Sequence, residues 1–454
     1  MNQDAVYAFI KQLNSSYIGP ALVLILVGAG IFFTVRLGFL PQYFWRTLKG
    51  VFTSTKKGKA SREDGISPVQ ALATAIASQV GTGNIVGVAM ALLMGGPGAL
   101  FWLWVSSFLG MSTNFAEAIL GLKYTTHTEN GNRIGGPAYY ISKGLGSRAL
   151  AIVFSVCFIL ALSIGIMVQS NSISGAMVHL FGDGIAPLWY GVGLAVLVAL
   201  ILSGGIERIA PFSERVVPLM AGVYILGCLV FVGIHYSNII PAFADIFTYA
   251  FTPKAGVGGA VGIAVMTAVR YGISRGLFSN EAGLGTTPHA HSIAKVEHAY
   301  DQGLLAIVGI GINVLICTLT GLCLLVSGAL DQPDLQGIGL MQYAFSTSYG
   351  TVGNWIIAIS IFFFALSTIV GWYFFCAQNV RYLFGERPII AYRIIVVGLV
   401  ILAAVIEVPL IWELADTFNF FVVVLNVVAI VWLSPKVAEE VRQMHKDFKN
   451  QDKK

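Results

Sequence analysis

The chain has 454 residues, of which 56% are hydrophobic and only 11% charged, with a mean hydropathy of +0.78. Soluble globular domains carry roughly twice this share of charged residues, so the composition excludes an ordinary soluble domain and indicates a membrane protein. Basic loops beside anionic lipid explain the formal net charge of +5 better than nucleic acid does, and we expect no nucleic-acid partner.

Eleven apolar segments follow one another, with little sequence left between them for a soluble domain. Each is close to or above the length of about 18 residues that a spanning helix needs. The first follows a polar segment without a basic region or a small-residue cleavage site, so we expect a retained span and no signal peptide. We therefore predict an all-α polytopic membrane protein with about eleven transmembrane helices. Their limits are 18–40, 68–94, 98–122, 149–181, 186–204, 209–234, 258–285, 302–330, 352–380, 391–407 and 409–433.

Basic residues alternate between the connections. Lys and Arg are retained on the cytoplasmic side of short loops. Lys11 and Lys254 are the only basic residues in one set of connections, so we expect these on the outside. The predicted protein is a multi-pass membrane protein, with its amino terminus outside, its carboxyl terminus in the cytoplasm, and Arg270 and Arg275 toward the cytoplasm. The predicted cytoplasmic segments are 36–62, 123–148, 208–215, 270–295, 381–393 and 436–454.

Two of the apolar segments contain glycines mixed with polar side chains. They read SQVGTGNIVG in the second segment and RYGISRGLFSNEAGLGTTP in the seventh. An unpaired backbone amide in hydrocarbon costs several kcal/mol, so non-helical backbone is tolerated there only when buried in protein or beside a wet cavity. We predict broken helices around a cavity. The alternative is a small-residue packing face at Gly83 and Gly87, which would leave Gln79, Thr82 and Asn84 without assigned partners.

The two predicted breaks lie five spans apart. If one extra amino-terminal span precedes two five-helix units, each break lies in the first helix of its unit. Because each unit has an odd number of spans, the two copies insert in opposite orientations. This arrangement predicts an inverted repeat with a substrate and ion site near the bilayer midplane. Free amides at a break favour a carboxylate and free carbonyls favour a cation. The predicted divisions are 1–65 (extra span and loop), 66–236 and 237–434 (repeats), and 435–454 (cytoplasmic tail).

A longer pattern resembles a known family. GGPGALFWLWVSSFLG at residues 95–110 is similar to the signature of the alanine or glycine:cation symporters, the sodium:alanine symporters, with Leu103 where that pattern has Met. GTGNIVGVA, GGPAYYI at 135–141 and SRGLFSNEAGLGTTPHAH at 274–291 extend the resemblance along essentially the whole chain. The family is a branch of the amino acid-polyamine-organocation class. Membership implies the leucine-transporter fold and sodium-coupled import of alanine, glycine or similar small neutral amino acids.

The same resemblance implies a sodium site between the first break and the ninth span. Its expected ligands are two carbonyls of the break, a carbonyl of the ninth span and two adjacent hydroxyls. Alternatively, the two hydroxyls bond only to their own helical turn, as Ser and Thr often do. The predicted Na⁺ ligands are Ala77, Val80, Phe364, Ser367 and Thr368.

The substrate site is expected where the two breaks meet. Backbone amides of the first break should bind the carboxylate, and the second should offer amine-facing oxygens and an aromatic wall. Gln169 and Trp372 are further candidates, with interhelical hydrogen bonding and packing as the respective alternatives. Gln79 lines the cavity or caps a half-helix. The candidates in the breaks are Thr82, Gly83, Asn84, Phe278, Ser279 and Asn280.

Two intramembrane acids are functional suspects by default. Glu117, near one end of the third span, has a nearby base as its simplest partner, and Glu281 is placed to bond the freed amides of the second outgoing half-helix. Proton coupling in the same fold is the alternative transport function. A channel is disfavoured because channels normally form rings of equivalent groups. An intramembrane hydrolase is disfavoured because no histidine lies in mid-span, so we predict a transporter and no enzyme.

Overall fold

The computed structural model describes residues 3–54, 65–128, 131–182, 184–252, 261–332, 335–406 and 408–451, and these are almost entirely helical. The described part contains one small antiparallel pair, β1 (Thr126–His127) with β2 (Arg133–Ile134). The helices are α1 (Gln3–Leu13), α2 (Gly19–Leu37), α3 (Phe44–Ser54), α4 (Pro68–Gln79), α5 (Val86–Gly95), α6 (Gly98–Lys123), α7 (Pro137–Gly144), α8 (Arg148–Phe181), α9 (Pro187–Leu202), α10 (Ile206–Ile234), α11 (Ile239–Phe251), α12 (Val261–Asn280), α13 (Pro288–His291), α14 (Ala299–Ser327), α15 (Ile338–Tyr349), α16 (Thr351–Phe384), α17 (Ile389–Ala403), α18 (Val408–Trp432) and α19 (Ser434–Gln451).

Each predicted apolar segment overlaps a helix, but residues 68–94 form the pair α4 and α5, and the segment 258–285 continues past the end of α12 at Asn280. Residues 258–260 and 407 of the predicted segments lie outside the described residues. By length and composition, six stretches among the described residues can cross a membrane, and the bent pair α4 and α5 adds a seventh. Helices α9 and α17 are apolar but only 16 and 15 residues long. The prediction of an all-α protein with several membrane-spanning helices is confirmed. The six stretches are Tyr7–Leu37, Arg148–Phe181, Ile206–Ile234, Ala299–Ser327, Thr351–Phe384 and Glu413–Trp432.

Five short helices lie in the predicted connections, and α13, with four residues, is the shortest. Helices α3, α7, α11 and α15 have 11, 8, 13 and 12 residues. All are shorter than the roughly 18 residues by which a span is recognised, so hydropathy alone does not detect them. Residues 137–141 of α7 are buried, which shows that this connection is packed into the protein.

The interior is organised around α6, α8, α12, α14 and α16. Helix α6 packs along α12 and α14, while α8 packs along α16 and α18. Glycines permit two of these close approaches: Gly276 of α12 lies against Leu103 and Ser106 of α6, and Gly165 of α8 lies against the Trp372 ring of α16. A side chain at either glycine would collide with its neighbour, so small residues set the helix spacing around the two breaks.

Candidate functional site

The first break separates α4 from α5, whose axes differ by 61°. Val80 (φ −94°, ψ 81°) and Gly81 (φ −120°, ψ −161°) leave the helical conformation, and a 3₁₀ turn over Thr82–Asn84 leads into α5. The Gly81 N–H donates to Asn84 Oδ1 at 3.2 Å, which satisfies one freed amide. A Cβ at Gly81 would lie 2.6 Å from Thr368 Oγ1, so this position requires glycine because α16 approaches the backbone there.

Carbonyl oxygens of the first break surround the Thr368 hydroxyl. Thr368 Oγ1 lies 3.1 Å from the Ala77 oxygen, 3.4 Å from those of Ser78 and Val80, and 2.9 Å from that of Phe364 in its own helix. A hydroxyl has a single proton and can donate fully to only one of them. Several carbonyl lone pairs therefore converge on one small region that contains four of the five predicted sodium ligands.

Ser367, the fifth predicted ligand, is adjacent but oriented differently. Its hydroxyl donates to the Phe364 oxygen at 2.9 Å and lies 3.5 Å from the sulfur of Met220 on α10. Thr368 makes the same bond to Phe364. The bond to the preceding turn, which was the alternative interpretation of both hydroxyls, is therefore present, and for Thr368 it coexists with the cluster of carbonyls.

The second break begins where α12 ends, at Asn280. Glu281 has a φ of 56°, a left-handed conformation that is uncommon for a residue other than glycine, and Gly283 and Gly285 follow with φ of 88° and 74°. The chain is then irregular until α13. Side chains must therefore satisfy the freed amides of this buried segment.

Glu117 of α6 binds those amides. Its carboxylate accepts hydrogen bonds from the Gly283 N–H at 3.1 Å and the Gly285 N–H at 2.9 Å. Asn426 of α18 donates to the same carboxylate at 2.5 Å and to the Gly283 oxygen at 2.9 Å, and Tyr140 donates to Asn426. The expectation that Glu117 pairs with a base was wrong. Neutral amides satisfy this buried acid within the described part of the chain.

Glu281 has a different role from the expected one. Its carboxylate accepts a hydrogen bond from Trp372 Nε1 at 2.7 Å and lies 2.9 Å from Ser78 Oγ. The function predicted for Glu281, to bond the freed amides, belongs to Glu117. Glu281 instead links the last turn of α4 to α16, and so connects the second break to the helices that carry the carbonyl cluster.

Asn313 of α14 lies where the two breaks meet. Its Nδ2 donates to Ser279 Oγ at 2.9 Å and Asn280 Oδ1 at 2.6 Å, and its Oδ1 accepts a hydrogen bond from Asn84. Cys317, one turn further along, has its sulfur 3.2 Å from Ser279 Oγ. The sequence interpretation missed Asn313. Its only signal is an amide within the apolar run IVGIGINVLICTL.

Both predicted glutamines lie against backbone freed by the breaks. Gln79 Nε2 donates to the Asn280 oxygen at the end of α12, at 2.8 Å, so Gln79 caps a half-helix across the two breaks. Gln169 of α8 accepts a hydrogen bond from the Thr82 N–H at 3.2 Å. Two buried oxygens here, Gln79 Oε1 and Thr82 Oγ1, have no hydrogen-bond partner among the described residues.

The predicted aromatic residues lie on one side of the breaks. Phe278 carbons lie 3.5 and 3.6 Å from the position that a Cβ of Gly83 would occupy. Phe278 and Trp372 both line a cavity of about 10 Å³ beside Gly165 and Glu281. The structure thus brings all nine predicted substrate-binding residues next to one or the other break, with Trp372 tied to Glu281.

A larger cleft of about 210 Å³ begins at Phe278 and is lined by α1, α2, α12 and α18. Arg270 and Arg275 line it, and Arg270 Nη2 lies 3.6 Å from the Cβ position of Gly19, where α2 begins. The two arginines were predicted on the side of Arg36, at the opposite end of α2. That placement was wrong. The retention of Lys and Arg on the cytoplasmic side holds for short loops, whereas these two arginines lie inside a polar cleft.

Comparison with known proteins finds similarity along the whole chain. The sequence profile described as the sodium:alanine symporter family matches residues 3–454. The sodium/alanine symporter AgcS of Methanococcus maripaludis is 39% identical over 455 residues, covering 98% of this chain and 99% of the relative. The probable sodium/glutamine symporter GlnT of Bacillus subtilis is 38% identical, covering 95% and 88%.

A solved structure is similar in fold. MhsT, crystallised in complex with L-phenylalanine, superposes with a TM-score of 0.61 at 14% sequence identity. The match covers 84% of this chain and 99% of MhsT. At this identity the likeness concerns the fold alone.

Proposed function

Because the chain belongs to the sodium:alanine symporter family, we propose that it is a sodium-coupled symporter that imports alanine, glycine or similar small neutral amino acids by alternating access. The family consists of transporters, which accords with the prediction that the chain is no enzyme. A sodium ion crossing a potential of about 100 mV releases roughly 2.3 kcal/mol, which would drive the accumulation of a neutral substrate.

The observation that carries this proposal is the convergence of carbonyl oxygens on Thr368. Oxygens of Ala77, Val80 and Phe364 lie within 3.4 Å of one hydroxyl. Hard cations prefer oxygen ligands, and carbonyls and hydroxyls without a carboxylate suit a monovalent ion. We propose that Na⁺ binds at these three carbonyls and the Thr368 hydroxyl, and that Ser367 completes the site by rotating from Phe364.

The substrate is proposed to lie between the two breaks, beside the sodium ion. Its carboxylate would bind backbone amides near Gly83 and Asn84, and its ammonium group would bind oxygens near Ser279. Gln79 Oε1 and Thr82 Oγ1 support this placement, because buried polar atoms without a partner are rare and indicate a missing ligand or water. Phe278 would cover the side chain of the substrate.

The proposed architecture has eleven spans in the leucine-transporter arrangement: an extra first span and two inverted five-helix repeats over 66–236 and 237–434, with α4–α5 and the α12–α13 region as the discontinuous helices. The amino terminus would face the outside of a prokaryotic cell and the tail from 435 the cytoplasm. The 61° bend at the first break supports this arrangement.

Uptake into proteoliposomes tests the function. Labelled alanine should accumulate under an inward sodium gradient with the proton gradient collapsed by an ionophore. Uptake that follows only an imposed proton gradient would establish the alternative, proton coupling, and reject sodium coupling. Competition by unlabelled glycine and glutamine would then define the substrate, since relatives at similar identity carry names for both alanine and glutamine.

A further inference from the structure

The cleft beyond Phe278 is separate from the site between the breaks. Its volume is about 210 Å³, whereas roughly 10–15 Å³ is enough for one water molecule. Among the described residues, its lining includes none of Asn84, Ser279, Asn280 and Asn313. Phe278 lies between the two regions, since it faces Gly83 on one side and the cleft on the other. A ligand in the cleft would therefore not contact the polar cluster around Asn313.

The cleft carries charges of both signs at a depth where charge is costly. Glu413 is engaged with Asn14, whose Nδ2 lies 2.7 Å from its carboxylate. Asp416, one turn further along α18, interacts electrostatically with Arg275 and with Glu413. Arg270, on α12, lines the same cleft. A ligand with a single charge could pair with either a basic or an acidic group of the cleft, while a zwitterion could pair with one of each.

Arg270 is the basic group best placed to receive an anion. It is half-buried, and it makes no salt bridge within the described part of the chain. Its guanidinium carbon lies 5.9 Å from the ring centre of Tyr271, its own neighbour in α12. A guanidinium can donate two parallel hydrogen bonds to one carboxylate. With no acidic partner among the described residues, the half-buried guanidinium of Arg270 is available to the negative charge of a ligand.

We propose that this cleft is a second binding site for a zwitterionic α-amino acid, in which Arg270 binds the carboxylate and Asp416 the ammonium group. Asn419 and Ser274 also line the cleft and can donate or accept hydrogen bonds there. The inference rests on the proposed function, because it places a substrate molecule on the access route before it passes Phe278. In the proposed orientation the cleft faces the outside.

Side-chain labelling tests the site in full-length protein in proteoliposomes. Ser274 lines the cleft, and Ser274→Cys introduces a thiol that a membrane-impermeant thiosulfonate reagent should modify. The chain without this change is the control for its own cysteines, of which Cys157 is half-buried and the others buried. The decisive background is Asn84→Leu, which removes the proposed carboxylate site at the break. In that background, alanine should still slow the labelling of residue 274.

Arg270→Gln should raise the alanine concentration that gives half-maximal protection by about tenfold, because it removes a charged hydrogen-bonding partner. Arg270→Lys should restore part of it, and Arg208→Gln, outside the cleft, should leave it unchanged. Propionate and ethylamine, which carry one charge each, should protect less than alanine. Should Asn84→Leu fail to give a monodisperse protein, Asn84→Ala serves as the background.

Loss of alanine protection in the Asn84 background would overturn the proposal, because the cleft would then be only a passage to the break. Equal protection by propionate would also overturn it in favour of a simple anion site. Sodium-driven alanine uptake is measured separately, on vesicles that hold the Ser274→Cys protein with Asn84 intact, because Asn84→Leu is itself expected to abolish transport. Protection without sodium-driven uptake would leave the cleft site standing and reject the proposed function, while uptake without protection would do the reverse.

Discussion

At the scale of single residues, the sodium hypothesis depends on Thr368. Its hydroxyl is the meeting point of carbonyls from α4 and α16. Ser367, its neighbour, faces Met220 on the other side of α16. Two adjacent hydroxyls with the same chemistry are thus in different environments, and substitutions at the two positions should have different consequences.

Thr368→Ala should raise the sodium concentration for half-maximal alanine uptake by about tenfold, since one ligand oxygen contributes on the order of 1.4 kcal/mol. Ser367→Ala, the matched control, should raise it less, because in this conformation that hydroxyl does not face the break carbonyls. The measurement is initial uptake against sodium concentration at saturating alanine. An unchanged sodium dependence in Thr368→Ala would remove the ion from this position.

The residues at the site were predictable to different degrees. Ala77, Val80 and Thr368 follow from the family resemblance, because the fold fixes which turns face each other. Asn313 does not, since one amide in an apolar helix has no local pattern that separates a ligand contact from interhelical bonding. Glu117 and Glu281 were assigned the wrong partners because those partners come from distant helices, which local sequence does not specify.

At the scale of elements, the two breaks differ in how their backbone is satisfied. The first uses short-range bonds, from Gly81 to Asn84, together with Gln169 of α8. The second uses the carboxylate of Glu117, held by Asn426 of α18. The sequence predicted where both interruptions occur, because glycines and polar residues are conspicuous in apolar segments. It did not predict that the irregular backbone after α12 would extend to α13.

Two glycines of the first break provide a matched test of its geometry. Gly81→Ala would place a Cβ 2.6 Å from Thr368 Oγ1. It should therefore displace α16 and raise the sodium concentration for half-maximal uptake well above the wild-type value. Gly83→Ala would place its Cβ 3.5 Å from Phe278, an ordinary contact away from α16, and should leave the sodium concentration for half-maximal uptake unchanged, whatever it does to alanine affinity. Sodium titration of uptake separates the two variants. Equal effects would mean that the α4–α16 approach seen here is not the transporting geometry.

Glu117→Gln should destabilise the protein by about 1–3 kcal/mol, because one acceptor of the Gly283 and Gly285 amides is replaced by a donor. Thermal unfolding in detergent, followed by loss of the monodisperse peak, measures the change. The control is Glu440→Gln, which removes the partly exposed ion pair between Glu440 and Lys123, whose N–O distance is 2.9 Å. This change should cost no more than about 1 kcal/mol. Identical stability of both variants would contradict the role of Glu117 in binding the Gly283 and Gly285 amides.

At the scale of the whole molecule, the orientation in the membrane remains a prediction. Ser237, in the exposed turn between α10 and α11, should be outside, and Arg442, in α19, should be inside. Ser237→Cys in intact cells should react with an impermeant thiol reagent, whereas Arg442→Cys should react only after permeabilisation. The reverse pattern would overturn the orientation drawn from the basic loops, which already misplaced Arg270 and Arg275.

The central claim is that sodium and amino acid move together through adjacent sites. The most direct measurement is the entry of ²²Na⁺ into proteoliposomes with equal sodium on both sides, driven by an inward alanine gradient. We predict that alanine drives ²²Na⁺ entry in the wild-type protein, that Asn84→Leu abolishes it, and that Thr368→Ala reduces it at the sodium concentration that is half-maximal for the wild-type protein. Alanine entry with no accompanying ²²Na⁺ in the wild-type protein would contradict the account.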